Sequence, residues 1–197
     1  MRTFVRLCES ETTKPKRYVM KNCSFSGHRK IPAYEKQALE RQLETVVRRL
    51  IDKGVRNFYT GGALGFDTMA AQCVLSLKKE YTGITLTVLV PCPDQPNNWG
   101  FADQETYYEI LIKSDKVSYI SDSYSPECMR KRNDALVASA DCLVCFLRKN
   151  NSGTAYTVKK AAERGLNIIP LGIKEDKKQE FISTFLPEQM SFGEFEE

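Results

Sequence analysis

Along most of this chain the pattern of apolar positions switches between a period near two and a period near 3.6. Runs rich in β-branched and aromatic residues at 22–26, 55–59, 84–90, 116–120, 141–147 and 166–171 read as strands, the fifth being the most apolar. Between them lie helical patterns. The clearest begins near residues 33–35 and carries Leu39, Leu43, Val46, Val47, Leu50 and Ile51 on one stripe, with Gly54 as its stop. A second starts where Asp67 is placed to cap it and runs to about residue 80, with Ala70 and Ala71 small enough for close packing on a sheet. Others span 102–114, 126–140 and 154–164, the last ended by Gly165. Strands that alternate with helices predict an α/β fold. Parallel neighbours need crossover connections, and here the crossovers are helical, so the expected architecture is a three-layer sandwich around a mainly parallel sheet. In such sheets ligands bind beyond the carboxyl ends of the strands.

That rule directs attention to four loops. Residues 60–67, Thr-Gly-Gly-Ala-Leu-Gly-Phe-Asp, join an apolar strand to an Ala-rich helix. Glycines at such a turn let a ligand approach the main chain, and the helix start offers free N–H groups and a positive dipole end. The expected ligand is therefore anionic, a nucleotide or a derivative of one. Ser26, Gly27, His28 and Arg29 form a second loop, the proline-rich run 91–99 a third, and Asn151, Ser152, Gly153 and Thr154 a fourth at another helix start. The expected phosphate contacts are Gly27, Arg29, Gly61, Gly62, Gly65, Ser152, Gly153 and Thr154. His28, Asp67, Trp99, Arg132 and Asn133 are expected around base and sugar. His28, the only histidine, reads equally as a general acid or base and as a structural ring. Asp67 reads as a cap with ligand contact, Trp99 as a base cover or as filler beneath its loop. Arg130 and Lys131 read as solvated neighbours of Arg132.

Composition sharpens this picture. The 197 residues are 42% hydrophobic and 27% charged, which suits one globular domain. No apolar run approaches the roughly 20 residues that span a bilayer, and residues 1–6 lack the apolar segment of a signal peptide, so a cytosolic location without membrane contact is expected. The net charge of +4 conceals an asymmetry: residues 174–197 hold three lysines against seven acids, a net −4 that leaves +8 on the rest. The positive body favours anionic partners, single-stranded nucleic acid among them. The expected organisation is an arm or edge strand at 1–17, the main domain at 18–173 and a solvated acidic extension at 174–197. The seven cysteines are odd in number and scattered through apolar segments, which predicts reduced, buried thiols. Cys142 and Cys145 have redox-motif spacing but lie inside a strand, which favours a structural role. Cys8 and Cys23 near His28 lack the paired spacing of a metal site, and neither metal nor cofactor is expected.

Five segments in order carry a family resemblance: residues 23–29 (Cys-Ser-Phe-Ser-Gly-His-Arg), 61–67 (Gly-Gly-Ala-Leu-Gly-Phe-Asp), 91–95 (Pro-Cys-Pro-Asp-Gln), 129–133 (Met-Arg-Lys-Arg-Asn) and 152–158 (Ser-Gly-Thr-Ala-Tyr-Thr-Val). Over about residues 20 to 173 the chain resembles the YoqJ/YpsA-like families of the SLOG superfamily, named for the SMF/DNA-processing protein A and LOG (Lonely Guy) proteins. The resemblance implies a Rossmann-like sheet that binds a nucleotide or a nucleotide-derived molecule, as a sensor or sequestering protein. LOG phosphoribohydrolases, which cleave the base from a nucleoside monophosphate, carry an arginine matched here by Arg132. They also carry a glutamate whose position is taken here by Thr157, which weakens the hydrolase reading unless Asp67 or His28 replaces it. DNA-processing protein A shares a similar glycine motif in a fold that binds single-stranded DNA, for which Trp99, Tyr107 or Tyr108 would offer stacking surfaces. The implied partners are thus a nucleotide-like small molecule first and single-stranded nucleic acid second, with homo-oligomer formation open.

Overall fold

The computed structural model describes residues 20–185. The expected arm at 1–17 lies outside them. Six strands, β1 (Asn22–Gly27), β2 (Asn57–Thr60), β3 (Thr85–Val90), β4 (Lys116–Tyr119), β5 (Cys142–Phe146) and β6 (Asn167–Pro170), form one sheet in the order β4-β3-β2-β1-β5-β6. Every pairing is parallel. The connections are helical: α1 (Ala33–Asp52), α2 (Phe66–Leu77), α3 (Phe101–Lys113), α4 (Cys128–Ala138) and α5 (Gly153–Glu163). The expected Rossmann-like three-layer α/β fold is what forms. The chain leaves β1 in one direction through β2, β3 and β4, then returns to β1's other side as β5. The carboxyl ends of β1 and β5 therefore flank the crevice at which the strand order reverses.

Burial explains the composition of the strands. Covered on both faces, β5 is apolar throughout and fully buried, whereas the edge strand β4 is half-exposed and begins with Lys116. One face carries α1, α2 and Ile110 of α3 over Cys23, Phe25, Phe58, Val88, Val144 and Phe146. There Phe25 stacks on Phe58 and Phe66 on Phe146, each with centroids 6.0 Å apart. Ala70 and Ala71 let α2 approach the sheet, as expected. The other face joins Leu143, Cys145 and Ile168 to Val137, Ala155, Val158, Ala161 and Ala162. Cys142 and Cys145 therefore point to opposite faces. Both are fully buried and behave as packing atoms, and burial pushes the Cys145 thiol up to about 12.

Polar side chains hold register at the amino edge of the sheet. The Asp141 carboxylate accepts from the amides of Lys21 and Asn22 at 2.8 and 2.9 Å. Asn57 donates to Asn22 at 2.9 Å, and Thr85 donates to Asn57 at 3.1 Å. These bonds start four strands level and leave the carboxyl edge to the loops.

Two expectations need correction. Asp67 does not cap α2: Gly65 is the cap residue, no side chain serves it, and the Asp67 carboxylate turns toward a charged partner instead. The extension after residue 173 is not wholly solvated. A 3-10 turn (Glu175–Lys177) leads into α6 (Lys178–Phe185), whose Phe181 and Phe185 pack on the second core, since this face of α5 supplies apolar surface to cover. Among the described residues no helix is long and apolar enough to cross a membrane.

Phe58 is fully enclosed, so Phe58→Ala should cost about 3–5 kcal/mol. Urea unfolding should show a lower midpoint at an unchanged slope; an unchanged midpoint would refute the packing just described.

Candidate functional site at the carboxyl edge

The glycine loop closes on its own protein. Gly65 has φ +80°, a left-handed conformation that a side chain would strain. Its Cα also lies where a Cβ would overlap the carbonyls of His28 and Arg29. The amide of Phe66 donates to the His28 carbonyl at 3.2 Å, and the amide of Thr68 to Ala63 at 3.1 Å. The Gly62 amide donates to Thr60 Oγ1 and its carbonyl accepts from Gln95 Nε2 at 2.8 Å. The main-chain donors expected to hold phosphate are thus largely engaged, and Gly61 and Gly62 are buried.

At Gly61 the missing side chain makes room for a guanidinium. A Cβ there would coincide with the Arg132 head group. Arg132, from α4, reaches over the end of β2 and meets Asp67, from α2, with Nη1 3.3 Å from Oδ2. Both side chains are buried, and the Ala63 amide also points at the carboxylate, at 3.4 Å. Burial pushes the Asp67 carboxyl up and the Arg132 guanidinium down, while each holds the other charged. The charge of Arg29, exposed in the loop after β1, adds to the downward pressure on Arg132. Arg132 Nε has no partner although the residue is only 7% exposed. Gln95, also 7% exposed, leaves Oε1 equally unpartnered. Native interiors rarely leave such atoms bare without a ligand or water to meet them.

The loop at 91–99 lies over this centre. Gln95 holds it to Gly62, and the ring of Tyr107 stands beside Gly62. Trp99 is half-buried and meets Tyr107 edge-on at 5.2 Å, one ring removed from the glycine loop. Gln95 was not singled out from the sequence, and its place in the Pro-Cys-Pro-Asp-Gln segment was the only signal.

His28 is placed as a clamp. Its Nε2 accepts from the amides of Arg148 at 2.8 Å and Lys149 at 3.1 Å, tying the loops after β1 and β5 across the crevice. Desolvation first, then the charges of Lys149 and Arg148, lower its pKa from the ordinary 6.5. Ser152 caps α5: its hydroxyl accepts from Ala155 at 3.1 Å and donates to the Lys149 carbonyl at 2.9 Å. Gly153 and Thr154 then supply the first-turn amides that a helix start leaves without intrahelical partners. Asn133 donates to Gly153 at 3.4 Å, which links α4 to this second helix start. Thr157 is buried, with its hydroxyl given to the Gly153 carbonyl. Gly27 abuts Phe66 and serves the packing of β1 against α2. Arg130 and Lys131 are exposed, as expected, and Arg130 also lies over the Tyr156 ring at 5.3 Å.

A family model, YpsA, described as the YspA SLOG family, matches residues 25–168. The chain belongs to this family. Among similar proteins, the UPF0398 protein of Halalkalibacterium halodurans is 32% identical over 143 residues, covering 71% of this chain and 74% of its own length. The SPbeta prophage-derived protein YoqJ of Bacillus subtilis is 30% identical over 130 residues, covering 59% and 75%. Among solved structures, DNA processing protein A from Helicobacter pylori, a protein with a single-stranded DNA binding mode, superposes with a TM-score of 0.59. It shares 17% identity and covers 85% of this chain and 74% of its own, a likeness of fold alone. The matched region of this SLOG protein contains every loop of the carboxyl edge described above.

The neutral His28 ring is favoured in the folded state, so its folded pKa lies below the unfolded one. Its contribution is complete above about pH 6.5 and is lost as pH falls through that value toward the lowered one. Unfolding free energies measured from pH 7.5 to 5 should fall more steeply for the native protein than for His28→Gln; parallel curves would show that the clamp carries no such dependence.

Proposed function

We propose that this SLOG protein binds a nucleotide or a nucleotide-derived phosphorylated ligand at the carboxyl edge, as a sensor or sequestering protein. The observation that carries the reading is Arg132. It is buried, held by Asp67 through one nitrogen, left with Nε unpartnered, and influenced by the second cation Arg29. Arg29 near an Arg132 that is offset by a single carboxylate leaves a net positive seat, and the start of α5 adds its free amides and dipole. A phosphate between Arg29, Arg132 and the Gly153–Thr154 turn would complete these groups. The base would lie toward the loop at 91–99, where Gln95 Oε1 awaits a donor and the half-buried Trp99 presents a ring.

Binding is better supported than turnover. N-glycosidic hydrolysis needs a carboxylate beside the sugar. The position that holds it in LOG enzymes is Thr157, engaged with Gly153, and Asp67 is committed to Arg132. His28 accepts two amides at Nε2, which supports a positioning role over acid–base chemistry.

Single-stranded nucleic acid is a second reading. It is favoured by Tyr119 and Tyr124, exposed at the end of β4 and in the loop after it, beside the cover loop to which Tyr124 is bonded through Asp94. Exposed rings on the same carboxyl edge as the exposed cations Arg29, Lys30 and Lys149 fit base stacking with phosphate contact along that edge.

Titration calorimetry with nucleoside mono- and diphosphates should detect binding, and Arg29→Ala should weaken it about tenfold or more, the worth of a charge-assisted bond. Unchanged affinity in this variant would remove Arg29 from the phosphate site. Oligonucleotide affinity that falls steeply with salt would support the second reading; salt-insensitive or absent binding would eliminate it.

A further inference from the structure

Cys92 and Cys128 meet where the two elements that close the carboxyl-edge centre come together. Cys92 belongs to the loop at 91–99, close before Gln95, and Cys128 is the first residue of α4, one turn before Arg132 on the same face. Both side chains are fully buried. Their sulfurs are in hydrogen-bonding contact, and burial first, then the Cys128 sulfur, pushes the Cys92 thiol up. The backbone sets the two segments side by side independently of the thiols. The Ser121 amide donates to the Pro91 carbonyl at 3.1 Å and the Tyr124 amide to the Asp94 carboxylate at 3.3 Å, so the chain entering α4 runs along the start of the loop.

A second thiol pair shows what is particular to this one. Cys23 and Cys142 stand opposite each other on the paired strands β1 and β5, and their side chains are also in contact. Reaching them requires the centre of the sheet to open. Cys92 and Cys128 lie just beneath the surface, since Pro93, Asp94, Pro126 and Glu127 beside them are exposed. Lifting the loop from α4 breaks the Gln95–Gly62 and Tyr124–Asp94 hydrogen bonds and no strand pairing.

We propose that Cys92 and Cys128 are a modification site, a dithiol that forms a reversible disulfide and so latches the loop at 91–99 onto α4. The oxidant is a low-molecular-weight disulfide. With the loop lifted, burial no longer opposes the Cys92 thiolate, which attacks one sulfur of the oxidant. A bond forms between Cys92 and that sulfur, the bond within the oxidant breaks, and one small thiolate leaves. As the loop recloses, the Cys128 sulfur gives up its proton and attacks the Cys92 sulfur, which forms the bond within the protein and expels the second small thiolate. The protein has lost two protons and two electrons, and the oxidant has become two thiols. The latch joins the loop of Gln95 to the helix of Arg132. Its consequence for the ligand rests on the nucleotide reading above: exchange beneath the loop slows once the disulfide has formed.

The test exposes the reduced full chain to glutathione disulfide, blocks the remaining thiols with N-ethylmaleimide and maps the peptides by mass spectrometry. A link between the peptides holding Cys92 and Cys128 should form, with Cys23 and Cys142 still free thiols, and dithiothreitol should reverse it. Cys128→Ser should stop at the first step, with one glutathionyl group retained on Cys92. The oxidised protein should unfold at a higher urea midpoint than the reduced one, because the bond restricts the unfolded chain between 92 and 128. Failure of the 92–128 link to form while circular dichroism shows an intact fold would overturn the proposal. So would a Cys23–Cys142 link that forms as fast, or an oxidised form with a lowered midpoint, in which the bond distorts the fold. Stopped-flow binding of a nucleoside diphosphate should slow about tenfold or more on oxidation; equal rates in the two states would remove the latch. No nucleotide binding in either state, with the 92–128 link formed, would remove the ligand reading and leave the disulfide standing.

Discussion

The contact between Arg132 and Asp67 organises this molecule more than any other polar interaction. The two residues belong to helices on opposite faces of the sheet, and their side chains meet over the end of β2, so one ion pair joins all three layers at the edge where the loops gather. Buried charges are costly, and such a pair is tolerated only when each partner satisfies the other and further donors complete the shell. Here the carboxylate is completed by loop amides and the guanidinium is not, since Nε remains bare. The absence of a side chain at Gly61 is what allows the guanidinium to lie in place. A substitution there would evict the arginine and strand Asp67, which ties the glycine loop to the helix layers as firmly as any hydrophobic contact does.

The two edges of the sheet divide the work. At the amino edge, Asp141, Asn22, Asn57 and Thr85 satisfy one another across neighbouring strands and set the register. At the carboxyl edge, the polar groups are charged, convergent and partly unsatisfied. The contrast is between groups whose bonding is closed within the chain and groups whose bonding remains open, and only the second kind is available to a ligand.

The strand and helix order was legible because buried parallel strands and amphipathic crossovers leave distinct periods in the sequence. The start of α5 was legible as a helix N-terminus, but Ser152 was read there as a phosphate contact, and its hydroxyl caps the helix instead. Asp67 misled in the opposite sense: its position fits a cap, and nothing local reveals an arginine 65 residues away that competes for the carboxylate. His28 was visible as a candidate, but its acceptor role depends on amides 120 residues downstream. Gln95 escaped notice because its importance arises from the fold of the cover loop on Gly62, a contact without periodicity. Local rules find elements, whereas long-range electrostatic pairing decides which side chains remain available.

The position of β1 has a consequence for how the chain comes to be ordered. This strand is central, paired on one side with β2, the next strand in the chain, and on the other with β5, about 120 residues later. During synthesis from the amino terminus, β1 to β4 and their helices can assemble while the other side of β1 stays open, with its main-chain donors and acceptors exposed to water or to a neighbouring chain. Closure waits for the most apolar strand to emerge. Such late, distant pairing makes for slow folding and a vulnerable interval on the ribosome, in which a half-sheet has everything except its seal.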